Sequence, residues 1–169
     1  MMEDFVAIDF ETTDYRDGRA NEPWQLGYVR VARGAVVEKR EWFFRTKAKY
    51  FPETPPSDFP APGGDTSLLP ENFLEQWEDL FGSLFGRRLL AHNLACEKTL
   101  LTRYAPLTKW GPWTDTLKVV RARYPDLASY KLGDLCAFFG CVPEMEDRTW
   151  HDGLFDALAC ALLALKLKV

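Results

Sequence analysis

"VAIDFETT", residues 6–13, ends an apolar run on two carboxylates of the same parity. Phe5, Val6, Ala7 and Ile8 have the aromatic and β-branched character of a buried strand, yet Asp9 and Glu11 follow without a break. Side chains alternate faces along a strand, so both acids project together, with Cα atoms roughly 6.5 to 7 Å apart. That spacing suits two carboxylates converging on a divalent cation such as Mg2+ or Mn2+, which prefer hard oxygen ligands. A strand running out into solvent carries the same letters, and the pair alone does not choose between the two.

The chain of 169 residues suits one domain, 1–169, with a core large enough to need no staple. Hydrophobic residues make up 47% and charged residues 27%, a globular rather than a disordered or membrane balance. With a net charge of -4, nucleic acid would not be held by bulk electrostatics. A phosphate-bearing substrate would need metal ions or a local basic patch. Met1, Met2, Glu3 and Asp4 are acidic or neutral where a secretory leader is basic. The most apolar stretch, 157–165, is far short of the roughly 20 residues of a membrane span. A cytoplasmic protein with no membrane partner is expected. Cys96, Cys136, Cys141 and Cys160 show no CxxC or zinc-like spacing and read as buried free thiols in a reducing compartment.

Outward from the opening strand, residues 5–10, 24–32 and 35–44 read as three strands, the last two joined by a tight Arg33-Gly34 hairpin. Residues 50–70 hold six prolines and Gly63-Gly64, a long loop readable either as a functional rim or as a solvated excursion. Helical periodicity covers 72–85, and a short strand at 88–91 leads into a helix over 94–104. A short strand at 113–117 and helices over 117–123, 132–139 and 153–167 complete the chain. The fold class is therefore α/β: an antiparallel three-strand meander plus parallel strands in one mixed sheet, flanked by helices.

Two further stretches bear on the acids. "LLAHNLACEKTLL", residues 89–101, places His92-Asn93 after a strand and Glu97 on the next helix. "HDGLFDALACALL", residues 151–163, puts His151 five positions before Asp156. On one regular helix these two would lie roughly 140° apart. A loop conformation at 151–153, with the helix starting near Leu154, removes that conflict. Alone, His92-Asn93 reads as a capped turn and Asp156 as a first-turn acid favoured by the helix dipole.

In this order the motifs resemble those of the DEDDh, or DnaQ-like, 3′-to-5′ exonucleases. The first motif of that family, Asp-x-Glu-Thr at the end of the first strand, is matched by Asp9, Glu11, Thr12 and Thr13. The second is a His-Asn turn before a helix carrying an Asp; His92 and Asn93 match, but the acid is Glu97. The third, His-x4-Asp, is matched by His151 and Asp156. "QLGYVRV" resembles the family's second strand, where an acidic residue often stands at the place of Gln25, and "DTLKVVRARYP" with "YKLGDLCAFFG" extends the likeness over nearly the whole chain.

The resemblance implies an RNase H-like fold and metal-dependent hydrolysis of phosphodiester bonds at the 3′ ends of single-stranded DNA or RNA. Two Mg2+ or Mn2+ ions about 3.5 to 4 Å apart would neutralise charge developing on the phosphate and hold the attacking and leaving oxygens. Asp9, Glu11, Asp156 and Glu97 are the implied metal ligands, and His151 the implied general base. Thr12 and Thr13 would lie against the terminal nucleotide. Phe10, His92 and Asn93 complete the candidate substrate-binding set, Phe10 being equally readable as core. Glu97 is one methylene longer than the family's Asp, which moves its carboxylate by about 1.5 Å against strict Mg2+ geometry. The rival reading is therefore a noncatalytic nucleic-acid-binding or protein-interaction domain of the same fold. "FFRTKAKYF", residues 43–51, has the composition of a single-strand-binding edge and equally of a solvated loop margin. Trp110 and Trp113 read as packing residues. A homodimer and a polymerase-associated subunit both occur in the family, and the sequence does not choose.

Overall fold

The computed structural model describes residues 3–13, 20–47, 69 and 71–169. Three strands open the chain, β1 (Phe5–Thr12), β2 (Pro23–Ala32) and β3 (Ala35–Phe43), followed by helix α1 (Trp77–Leu84). Then come β4 (Leu89–Ala91), α2 (Ala95–Tyr104), β5 (Trp113–Asp115), α3 (Thr116–Arg123), α4 (Leu132–Phe139) and α5 (Gly153–Leu167). The sheet order is β3-β2-β1-β4-β5. β1–β2 and β2–β3 are antiparallel, while β1–β4 and β4–β5 are parallel, giving the expected mixed sheet. Arg33 and Gly34 both have positive φ, 53° and 78°, the twist a two-residue hairpin needs.

The alternation of β1 sorts the helices onto its two faces. Val6, Ile8 and Phe10 face a core completed by Leu80 and Leu84 of α1 and Leu100 and Leu101 of α2. Phe5 and Ala7 face the other way, against Leu154, Ala157, Leu158 and Ala161 of α5. Asp9 and Glu11 continue the parity of Phe5 and Ala7, so the strand delivers them to the α5 face. A third cluster joins α5 to α3 and α4 through Val120, Leu135, Ala159 and Leu163. α5 is thus buried on most of its circumference, as its nearly continuous apolar sequence requires.

Three expectations need adjustment. Helix begins at Trp77 rather than 72, because Asn72 Oδ1 accepts the Leu74 and Glu75 amides while the Glu75 carboxylate accepts the Asn72 amide, closing a turn ahead of α1. Cys136, Cys141 and Cys160 are buried free thiols, but Cys96 is only half-buried near the start of α2. Of residues 43–51, Phe44 is fully buried and Arg45 pairs with Glu75 at 3.1 Å, so this part packs rather than presenting a stripe; Lys49, Tyr50 and Phe51 lie outside the described residues. So does loop 50–70, except Leu69. Trp110 is buried and Trp113 packs against its cluster, as expected. Among the described residues no helix is long and apolar enough to cross a membrane.

Candidate active site

Asp9, Glu11 and Asp156 each offer a carboxylate oxygen, and these oxygens lie within 4.8 Å of one another. The shared parity of Asp9 and Glu11 accounts for two of the three. The third depends on how closely the start of α5 approaches the sheet. Gly27 of β2 is paired with Asp9, and a Cβ there would overlap the Gly153 carbonyl outright. At Gly153 a Cβ would stand 3.1 Å from the Asp9 carbonyl oxygen. Two glycines therefore let the first turn of α5 rest on the strand pair at the level of Asp9, and Asp156 follows within that turn.

The start of α5 is also braced by polar groups. Asp152 caps it, its Oδ1 accepting the Phe155 amide at 2.9 Å. Gln25, 0% exposed on β2, accepts the Gly153 amide at 3.0 Å and donates to Asp152 at 3.1 Å and Glu41 at 3.2 Å. Arg148 closes the network with two 2.7 Å bonds to Glu41 and contacts of 3.2 Å to Asp152. Each polar group in this cluster has a partner, the condition under which a buried network fixes one geometry.

His151 sits just outside that cap with φ 71°, and its amide donates to Asp156 Oδ2 at 3.1 Å. The residue is exposed. A break in the helix before Asp156 was expected, and α5 begins at Gly153, one residue earlier than Leu154. The main chain of His151 is therefore fastened to the carboxylate of Asp156.

Glu97 arrives from α2 on the opposite face of the sheet and is not one of the three clustered acids. It is only 4% exposed, and its carboxylate accepts the amides of Phe10 and of Glu97 itself. Burial nevertheless lifts its pKa to about 7. Burial likewise lifts Asp156 to about 6, with the His151 amide opposing the shift. Asp9 is held well above the usual carboxylate range, first by burial and then by the charges of Glu97, Glu11 and Asp156.

This is a site short of positive charge, and its donor set fits a divalent cation. Glu97 Oε2 and Asp156 Oδ1 are buried carboxylate oxygens without a hydrogen-bond partner, a costly condition that a cation relieves.

The remaining candidates surround the carboxylates or support them. His92 is held at both ring nitrogens, Nδ1 2.9 Å from Thr116 Oγ1 and Nε2 2.9 Å from the Tyr130 carbonyl. Burial depresses its pKa, and Nε2–H donates to the Tyr130 carbonyl. Asn93 is exposed at φ 65°, and its amide donates to Asp115 Oδ1. Thr12 accepts from Asn21 at 3.3 Å; Thr13 is 1% exposed and its hydroxyl accepts the Glu22 amide at 2.9 Å. Phe10 lies in the core, 6.0 Å between ring centroids from Phe73.

The sequence reading missed the support of the site. Asp152 has the form of an N-cap ahead of an apolar helix, a readable signal. Gln25 drew notice only through the family likeness, and Glu41 and Arg148 carried no local signal. Asp115 caps α3 through the Leu117 and Lys118 amides and holds the Asn93 turn as well.

No protein-family model matches the chain. It is 29% identical over 171 residues to the PolC-type DNA polymerase III of Caldanaerobacter subterraneus subsp. tengcongensis, a match covering 97% of this chain and 11% of that protein. The chain thus corresponds to about a ninth of the relative's length. Among solved structures, exonuclease X in complex with 5′-overhanging duplex DNA matches at TM-score 0.67 and 18% identity, over 96% of this chain and 90% of that one. E. coli exonuclease I in complex with a dA16 oligonucleotide matches at TM-score 0.68 and 19% identity, over 98% and 41%. A full-length 3′-exonuclease matches at TM-score 0.68 and 18% identity, over 97% and 80%. The fold is accordingly the RNase H-like fold of these exonucleases.

Proposed function

We propose that this chain is a single metal-dependent 3′-to-5′ exonuclease domain that hydrolyses phosphodiester bonds at the 3′ ends of single-stranded DNA or RNA. The observation that carries the reading is the meeting of Asp9, Glu11 and Asp156, with the main chain of His151 bonded to the third acid. These three acids would hold Mg2+ or Mn2+, and Glu97, with its unpartnered Oε2, would serve a second ion. When bound, the cations offset the charge that builds on the phosphate and acidify the attacking water. His151 takes the water's proton on its imidazole, and the positive φ of its backbone turns it out of the helix toward solvent. The water oxygen bonds to phosphorus as the P–O3′ bond breaks, the departing 3′ oxygen takes a proton from solvent, and a nucleoside 5′-monophosphate is released. Thr12, at the end of β1, borders the terminal nucleotide, while Thr13 is buried and its hydroxyl holds the Glu22 amide, so it supports the strand end instead of touching substrate.

The domain works in the cytoplasm, where its thiols stay reduced, either as a homodimer or beside a polymerase. The PolC-type relative supports the second arrangement.

A noncatalytic nucleic-acid-binding domain is the second reading, and the placement of Glu97 outside the three-acid cluster favours it. A 5′-labelled single strand with Mg2+ or Mn2+ separates the two. The enzyme reading expects a ladder shortening from the 3′ end that chelator abolishes, that Asp9→Asn abolishes, and that His151→Ala slows by roughly 10²- to 10⁴-fold. Binding of the strand without metal-dependent shortening supports the second reading.

A further inference from the structure

The parallel strands β1, β4 and β5 end along one edge of the sheet, and the three carboxylates occupy only the β1 end of it. Beyond β4 and β5, along the same edge, lies a cavity of about 470 Å3 lined by His92, Asn93, Arg121, Ser129, Tyr130 and Lys131. His92 and Asn93, which line it, follow β4, the strand paired directly with β1. We propose that it is the track for the phosphodiester backbone on the 5′ side of the bond to be cut, with Arg121 and Lys131 as its phosphate-binding cations. The proposal rests on the exonuclease reading and extends it to how the strand is held.

Electrostatics gives the first argument. A chain of net charge -4 that gathers three carboxylates at its site repels a nucleic-acid strand unless cations stand along the strand's path. Arg121 and Lys131 are both exposed, and no carboxylate lines the cavity. Asp115 and Asp134 stand at its border, Asp115 accepting the amides of Asn93, Leu117 and Lys118 and Asp134 accepting the Ser129 hydroxyl, so the two cations face the open side.

The second argument is that this open surface hollow has side chains already held in place. Tyr130 anchors its floor, its hydroxyl donating to the carbonyls of Tyr124 and Pro125 while its own carbonyl accepts from His92. The Arg121 guanidinium lies 5.3 Å from the Tyr130 ring centroid, which orients it before any ligand arrives.

Continuity with the site is the third. His92 and Asn93 leave β4 directly beside β1. On the other flank, a Cβ at Gly133 would stand 3.3 Å from the ring of Trp150, the neighbour of His151. With the terminal nucleotide against the Thr12 end of β1, the β4–β5 side is where the rest of the strand continues.

The test compares Arg121→Gln, Lys131→Gln and the double variant with wild type on a DNA 12-mer, an RNA 12-mer and the p-nitrophenyl ester of thymidine 5′-monophosphate, which has no 5′ strand. Binding of the 12-mers is followed in parallel by fluorescence anisotropy in Ca2+. For the double variant we expect KM on the 12-mer to rise at least tenfold more than on the ester. The dependence of log Kd on log salt should flatten by about 1.4, near 0.7 for each lost contact. Arg121→Lys, which keeps the charge, should recover most of the affinity. The 12-mer that wild type binds more tightly identifies the sugar. Equal losses on 12-mer and ester, or an unchanged salt slope, would overturn the track. If wild type binds 12-mers but cuts neither substrate, the enzyme reading falls, and the salt slope alone decides the track. If wild type neither binds nor cuts, both fall.

Discussion

α5 and α2 each carry an acid toward the same edge of the sheet, but they fasten it in different ways. α5 is capped by Asp152, laid on β1 and β2 through Gly27 and Gly153, and locked by Gln25, Glu41 and Arg148. α2 has Leu94 at its N-cap with no side-chain cap, and of its ten residues only Glu97, Leu100 and Leu101 are buried. The difference follows from the parity of β1. Asp156 comes from the face that Asp9 and Glu11 occupy, where α5 packs. Glu97 comes from the helix on the other face, is held by the amides of Phe10 and of Glu97 itself, and its charge still acts on Asp9.

Removing the close approach of α5 should have the largest effect. Gly27→Ala places a methyl group inside the Gly153 carbonyl, so the first turn of α5 must move. We expect overpacking to cost about 1 to 3 kcal/mol, read as a fall in Tm. A displacement of about 1 Å at Asp156 and His151 should cut the exonuclease rate about 100-fold. Retained activity at wild-type level would mean that the glycine contact does not set the site.

Next comes the brace. Arg148→Ala leaves Glu41 and Asp152 facing each other without their cation. Since Glu41 is partly exposed, the expected loss is roughly 2 to 3 kcal/mol, below that for a fully buried pair. In a domain of this size that corresponds to about 4 to 12 °C in Tm. Arg148→Lys restores a charge but not the fork that spans Glu41, so it should recover only part of the loss.

Smaller again is the effect expected at α2. Glu97→Asp shortens the acid and gives up its bond to the Phe10 amide. The rate should change less than tenfold, whereas Asp156→Glu, on the braced helix, should lose at least about 100-fold. The reverse order would make α2 the more demanding arm of the site.

The subtlest contrast is in pH. Burial lifts Asp156 from 3.8 to about 6 and Glu97 from 4.5 to about 7. Both raised acids contribute stability that is fully present below their unfolded values and lost as pH rises through their folded ones. Metal-free protein should therefore show a falling Tm as pH goes from about 4 to about 7. Asp156→Asn should flatten the lower part of that fall, and Glu97→Gln the upper part.

The sequence carried the parity of β1, the apolar length of α5 and the need to break the chain at His151, because each is a local pattern. From these follow the sheet, the helix faces and the three acids. It did not carry the register. Gly27 looks like an interruption in an apolar strand until its pairing with Asp9 is known. Arg148 and Glu41 are 107 residues apart, and no periodicity links them. The start of α1 was read too early because the cap at Asn72 closes a turn, not a helix. His92 was legible as a turn residue, but its two ring partners come from β5–α3 and the loop before α4.

The most direct test of the central claim is a titration of Mn2+ into wild-type protein and Asp9→Asn, followed by electron paramagnetic resonance of the free ion. The account predicts saturable binding by wild type at millimolar Mn2+ or below, and loss of that binding in Asp9→Asn while the fold is kept. Equal binding by the two proteins, or none by wild type, would contradict it.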